Sequence, residues 1–324
     1  MALYFGDDGY NVDSSCDRIH FLAEIYYYRH RQFRNEMTKP LIFMDPFPRN
    51  EAMVYTHECA AALAEMGRVV VHWGSRAPDD LVEKHLADMT ILIGQTAMSK
   101  ERLNRAPNLQ AILNVKANWE PNIDYAECHA RGISVLSAAP AMAPAVAEFC
   151  VGQAIMLLRG LHKSNALFRT GNEAYGIGGN KTAKSLYGAD VAMIGYGNLG
   201  RALEPLLRPF GVRLSVHDPW LSDGYLRTEG LVPVSLKTAL CQSDVLFLLA
   251  GVTSDNEGFL NRGLLETIRQ DASVVLASRA EIVDFNGFLD LAGKGTFRAA
   301  VDIFPEEPVP ANSSYRSVPN VLFS

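Results

Sequence analysis

Six consecutive residues, Gly195-Tyr196-Gly197-Asn198-Leu199-Gly200, have the types and spacing needed to hold a phosphate against a backbone. They follow the apolar run Asp190–Ile194, open a segment of helical period, and lead to a second apolar run that ends at His217-Asp218-Pro219. In a strand, turn, helix, strand setting, the first glycine makes the tight turn and the second lets a pyrophosphate approach the backbone. The third lets the helix pack on the sheet. The helix start adds unpaired N–H groups and a partial positive charge. Asp218 stands eighteen positions after Gly200, where a carboxylate would bond the ribose hydroxyls and repel a 2′-phosphate, a preference for NAD over NADP. The competing reading is a glycine turn with no ligand. Pro205 should loosen the helix that follows, because it removes a backbone donor.

Two further segments carry groups suited to a polar reaction centre: Ser278-Arg279-Ala-Glu-Ile-Val283-Asp284 and Asp302-Ile-Phe-Pro-Glu306-Glu307-Pro308. A guanidinium fork such as that of Arg279 can fix a planar carboxylate and stabilise a developing alkoxide. The plainer alternatives are a surface ion pair for the arginine and solvated charge for the acidic residues.

With these motifs in order, residues 41 to 324 resemble the D-isomer-specific 2-hydroxyacid dehydrogenases. Ala147-Glu148 and Asn122-Ile123-Asp124 are weaker matches. The resemblance implies that Arg279 grips the carboxylate and carbonyl of a 2-oxo acid. It implies that Glu307, directly before Pro308, hydrogen-bonds a catalytic histidine, and that Asp302 orients the nicotinamide carboxamide. The family's histidine is expected within a few residues after Ser324, so the 324 residues are expected to stop short of the proton donor. The family's glycine-rich substrate loop is replaced by Asn114-Val-Lys116-Ala117-Asn118-Trp119-Glu120-Pro121-Asn122. The carboxylate contact is expected from backbone near Ala117–Asn118, and Lys116 and Trp119 point to a larger or more polar substrate; core filling is the alternative for Trp119. Ala280 stands where the family usually has glycine, and Gly251 where it commonly has proline. His217 and His162 are read as structural.

The elements that must position these groups form two series of short Ile/Val/Leu runs alternating with helical segments, the signature of parallel strands with crossover helices. The first has strands at 41–45, 68–73, 90–94, 109–115 and 133–137, with a helix at 51–66; the second has strands at 190–194, 213–217, 244–249, 273–277 and 297–303. The fold class is α/β, two open doubly wound parallel-sheet domains: a flavodoxin-like substrate domain (1–143, with an extension over 1–40) and a Rossmann NAD-binding domain (144–324). The extension fits neither series and suits an extra helix or an oligomer arm. Between the series, Ala145–Arg159 is apolar on all sides and should be enclosed by protein.

Composition narrows the partners. Hydrophobic residues make up 48% and charged residues 20%, the range of a globular chain, and a net charge of −6 gives no field for a polyanion, so no nucleic acid is expected. The longest apolar stretch, 145–158, is interrupted by Glu148 and Gln153 and falls short of the roughly 20 residues of a membrane span. The first 40 residues lack a signal peptide's apolar core, and five scattered cysteines without a CxxC pair fit reduced thiols and no metal site; the expected compartment is the cytoplasm. The resemblance implies a hydride transfer between NAD(H) and a small 2-hydroxy or 2-oxo acid, in a homodimer. A non-enzymatic NAD-sensing scaffold or corepressor-like protein on the same fold is the rival, and a formate dehydrogenase a lesser one.

Overall fold

The computed structural model describes residues 39–116, 121–179, 181–253 and 256–324. Ala117, Asn118 and Trp119 of the expected substrate loop, and residues 1–38 of the N-terminal extension, lie outside the described residues. The chain divides into two compact units, Met1–Ala141 and Met142–Ser324.

In the first unit, strands β1 (Leu41–Asp45), β2 (Arg68–Val71), β3 (Met89–Gly94), β4 (Ala111–Asn114) and β5 (Ser134–Ser137) form a sheet in the order β2-β1-β3-β4-β5. Every pairing is parallel. This is the flavodoxin-like order, in which ligands gather at the carboxyl ends of the strands. β1 is buried throughout, as a central parallel strand covered on both faces requires. The single helix expected over 51–66 is instead two, Glu51–Val54 and His57–Met66. Tyr55 is extended, and the Thr56 hydroxyl accepts from the Cys59 amide at 3.4 Å, so the threonine starts a new helix rather than continuing the old one.

The second unit contains β6 (Asp190–Ile194), β7 (Arg213–His217), β8 (Val232–Pro233), β9 (Val245–Leu248), β10 (Ser273–Leu276), β11 (Arg298–Val301) and β12 (Val321–Phe323). Their order is β12-β11-β10-β9-β6-β7-β8, again wholly parallel. The short β8 was not anticipated; its Pro233 cannot donate to a ladder and is tolerated because β8 is the edge strand. Alternate residues face opposite layers. Ile194, Leu246, Leu248, Val274 and Leu276 pack with Phe288 and Leu289 of the helix Phe285–Gly293. Val191, Met193, Val245, Phe247 and Val275 pack with Ala147, Cys150, Ala154 and Leu157 of the long helix Ala139–Arg159. Each fully buried Leu, Val or Phe contributes about 1.5–3 kcal/mol, so these two layers hold the sheet between them.

Two expectations about this long helix are corrected. It begins at Ala139, not after Pro144, and at 21 residues with mean hydropathy 1.6 it is long and apolar enough by composition to cross a membrane. Nor is it enclosed on all sides: Ala147, Cys150, Ala154 and Leu157 face the sheet, whereas Phe149 is 40% exposed. Apolar composition alone cannot distinguish a helix packed on one face from one packed all round. The expectation of five reduced thiols is also corrected. Cys128, Cys150 and Cys241 are free, but Cys59 is disulfide-bonded. Sequence spacing is a poor guide here, since a disulfide needs only Cα atoms roughly 4.4–6.8 Å apart in space.

Candidate active site

The glycine bend follows β6 directly. Gly195 has φ +95°, and a Cβ there would stand 2.7 Å from the Ala250 amide nitrogen and 2.8 Å from its Cα, so the turn closes against the chain after β9 only without a side chain. Gly197 differs: φ is −81°, and nothing lies within 4 Å of where its Cβ would be. It is the exposed N-cap of the ten-residue helix Asn198–Leu207, whose first amides, on Asn198, Leu199 and Gly200, have no partner within the helix. A Cβ on Gly200 would lie 3.1 Å from both the Gly195 carbonyl oxygen and Tyr196 Cδ2, the close helix packing expected of the third glycine. Pro205 stays within the helix, which tightens to a 3₁₀ turn at Arg208–Phe210.

Asp218 is tied to this bend. Its Oδ2 accepts from the Tyr196 amide at 2.8 Å and its Oδ1 from the Trp220 amide at 2.9 Å. Each oxygen keeps a second lone pair for a sugar hydroxyl. The carboxylate lies on the wall of a cavity of about 390 Å³ lined by Val216, His217, Pro219, Leu226 and Val234. His217 Nδ1 is held at 3.1 Å by the Val234 carbonyl, a structural bond. An open glycine at a helix start, beside a cavity with a fixed carboxylate on its wall, fits the pyrophosphate and adenosine of a dinucleotide.

Of the residues expected at the cofactor, Tyr196 and Leu199 turn their side chains toward the core. Tyr196 is 2% exposed, its ring lies beneath the Arg201 guanidinium at 5.2 Å, and burial pushes its phenol up to about 12. Its amide donates to Asp218, so it fixes that carboxylate against the bend. Leu199 packs partly into the core and can offer only its N–H.

Arg279 follows β10, half-buried, extended at φ −148°, and caps the short turn Ala280–Ile282. Ser278 Oγ donates to the Leu248 carbonyl at 3.0 Å, which ties this segment to β9. Ala280, in place of the family's glycine, is 2% exposed and packs into the core. Asp302 follows β11, and its amide donates to the Leu276 carbonyl at 3.2 Å. Burial raises its carboxyl above the ordinary range, the Ser324 hydroxyl at 3.0 Å opposes that rise, and the charge of Glu307 adds to it. Glu307 closes its own loop by accepting from the Phe304 amide at 3.0 Å. The bend, Arg279 and Asp302 therefore share the carboxyl edge of one sheet. At about 4.8 Å per strand, Arg279 is roughly 10 Å and Asp302 roughly 14 Å along the edge from β6.

In the first unit, Lys116 lies just past the end of β4, with its amide donating to Asn114 Oδ1 at 3.1 Å. Sequence reasoning missed Arg49, whose Nε donates to the Val115 carbonyl at 3.0 Å and so brings a second cation to this loop. The available signal was its place four residues after β1, at the edge where open α/β sheets bind ligands.

The comparisons with known proteins agree with this geometry. Residues 151–324, more than half of the chain, match the model of the D-isomer specific 2-hydroxyacid dehydrogenase NAD binding domain. A phosphoglycerate oxidoreductase from Rhizobium etli is 34% identical, with a TM-score of 0.75 and 88% of this chain and 87% of that one covered. YoaD of Bacillus subtilis is 32% identical over 211 residues, which span 62% of this chain and 59% of YoaD. Glyoxylate reductase of Thermofilum pendens is 25% identical over 276 residues, 81% of this chain and 79% of that protein. The chain belongs to the D-isomer specific 2-hydroxyacid dehydrogenase family, and its second unit is that family's NAD-binding domain.

Proposed function

We propose that the protein reduces a 2-oxo acid to a D-2-hydroxy acid with NADH. The observation that carries this reading is the common edge: the glycine bend after β6, Arg279 after β10 and Asp302 after β11 open on the same side of one sheet. When bound, the cofactor supplies a hydride to the carbonyl carbon. Arg279 binds the substrate carboxylate and stabilises the negative charge that the oxygen gains as its π electrons leave carbon. Glu307, held by the Phe304 amide at 3.0 Å, is the carboxylate that would orient a proton donor toward that oxygen. Asn198, Leu199 and Gly200 offer backbone amides to the pyrophosphate, and Asp218 accepts from the ribose hydroxyls.

Lys116 and Arg49, two cations at the loop after β4 of the first unit, suit an anionic group on a substrate, a carboxylate or phosphate beside its 2-oxo acid. The test follows NADH absorbance with 2-oxo acids that carry or lack such a group. Turnover with the dianionic acids at about tenfold or more higher kcat/KM supports the reading. Equal turnover of both kinds removes the second anion. NADH binding without turnover of any acid favours the sensing scaffold instead.

A further inference from the structure

Gln153 presents a polar amide on the buried face of the long helix Ala139–Arg159, at 3% exposure among Cys150, Ala154 and Leu157. Its Nε2 donates to Ser324 Oγ at 3.0 Å, across 171 residues of sequence. Ser324 Oγ in turn lies 3.0 Å from Asp302 Oδ1 and 3.3 Å from the Val301 carbonyl. A hydroxyl has one proton. With the amide donating into Oγ, that proton goes to the nearer and charged acceptor, the carboxylate. The result is a directed relay from Gln153 through Ser324 to Asp302 that anchors Oδ1; Oδ2 has no hydrogen-bond partner among the described residues.

This arrangement has a cost. Gln153 Oε1 is buried with no hydrogen-bond partner among the described residues, and an acceptor stripped of water without a replacement destabilises a fold. A leucine or methionine at this position would avoid that penalty and still fill the layer between helix and sheet. The benefit must lie in what the amide does at its other end, and among the described residues the group it reaches is the serine that holds Asp302. Cys150, one turn earlier on the same helix, is fully buried, and the charge of Asp302 adds to the rise that burial gives its thiol.

We propose that Gln153 and Ser324 are positioning residues that lock the Asp302 carboxylate in one orientation, leaving its second oxygen to accept from the nicotinamide carboxamide. The proposal rests on the reading that Asp302 meets that carboxamide. Ser324 is the better probe, because its hydroxyl is the contact itself and it sits at the end of edge strand β12 rather than within the core.

The test measures equilibrium binding of NADH and of ADP-ribose, which lacks the nicotinamide, to the whole protein and to Ser324→Ala, Ser324→Thr and Gln153→Met. In Ser324→Ala the NADH Kd should rise about three- to tenfold while the ADP-ribose Kd stays within about twofold, and Ser324→Thr should restore NADH binding. Gln153→Met, which keeps the volume, should weaken NADH by a smaller factor and leave ADP-ribose unchanged. Equal weakening of both ligands would show a purely structural role and overturn the proposal, as would NADH binding to Ser324→Ala at the native Kd. If the native protein bound neither ligand, the cofactor reading itself would fall, a result distinct from either.

Discussion

The two glycines at the start of the bend separate folding from binding. Gly195→Ala places a Cβ 2.7 Å from the Ala250 nitrogen at a φ that side chains rarely adopt, and should destabilise the protein by about 2–4 kcal/mol, read from the denaturant midpoint. Gly197→Ala meets no atom within 4 Å and no strain, so stability should hold or rise by up to about 1 kcal/mol, while NADH affinity falls about tenfold or more. Asp302 gives a pH dependence. Its carboxyl is raised by burial, and the carboxamide is held by the ionised form, so NADH affinity should fall as pH drops through a midpoint above that of an ordinary carboxylate. Asp302→Asn, measured by the same titration, should flatten that profile. At this scale the tight turn at Gly195 and the close helix packing at Gly200 were legible because backbone conformation admits few substitutes. Tyr196 was not, because a motif position does not reveal which way its side chain points; here it points into the core.

At the scale of elements, central strands announced themselves by composition. β1, β6 and β7 match their expected bounds residue for residue, since apolar runs such as Leu41–Met44 have no other place to go in a doubly wound sheet. The break at Tyr55-Thr56 and the two-residue edge strand β8 escaped, because local capping bonds and edge pairing leave little hydrophobic pattern. Capping also supports the site from behind. Asp284 Oδ1 accepts from the Gly287 amide at 3.0 Å and starts the helix Phe285–Gly293 that packs beneath β9 and β10. Asp284→Ala should therefore lower stability by about 1 kcal/mol with the NADH Kd unchanged. A large change in Kd would mean that this helix start reaches the ligand.

For the whole molecule, the division into two α/β units was visible from the two series of strands, and the parallel order within each sheet followed from crossover helices being the only short connection. Surface partners were not visible in that pattern. Phe149, Leu161, Leu167 and Phe168 are all at least 40% exposed along the long helix and the helix after it, and we propose that a second copy of the chain covers them. The expected outcome is a homodimer in light scattering, reduced to monomer by Phe168→Asp with NADH binding retained. The central claim remains that a dinucleotide lies across the bend at 195–200 with its adenosine ribose on Asp218, and direct titration of NADH and NADPH tests it. Saturable NADH binding at least about tenfold tighter than NADPH is predicted, with the gap closing in Asp218→Ser as the repelling charge is removed. NADPH binding as tight as NADH in the native protein, or an unchanged gap in the variant, would contradict the account.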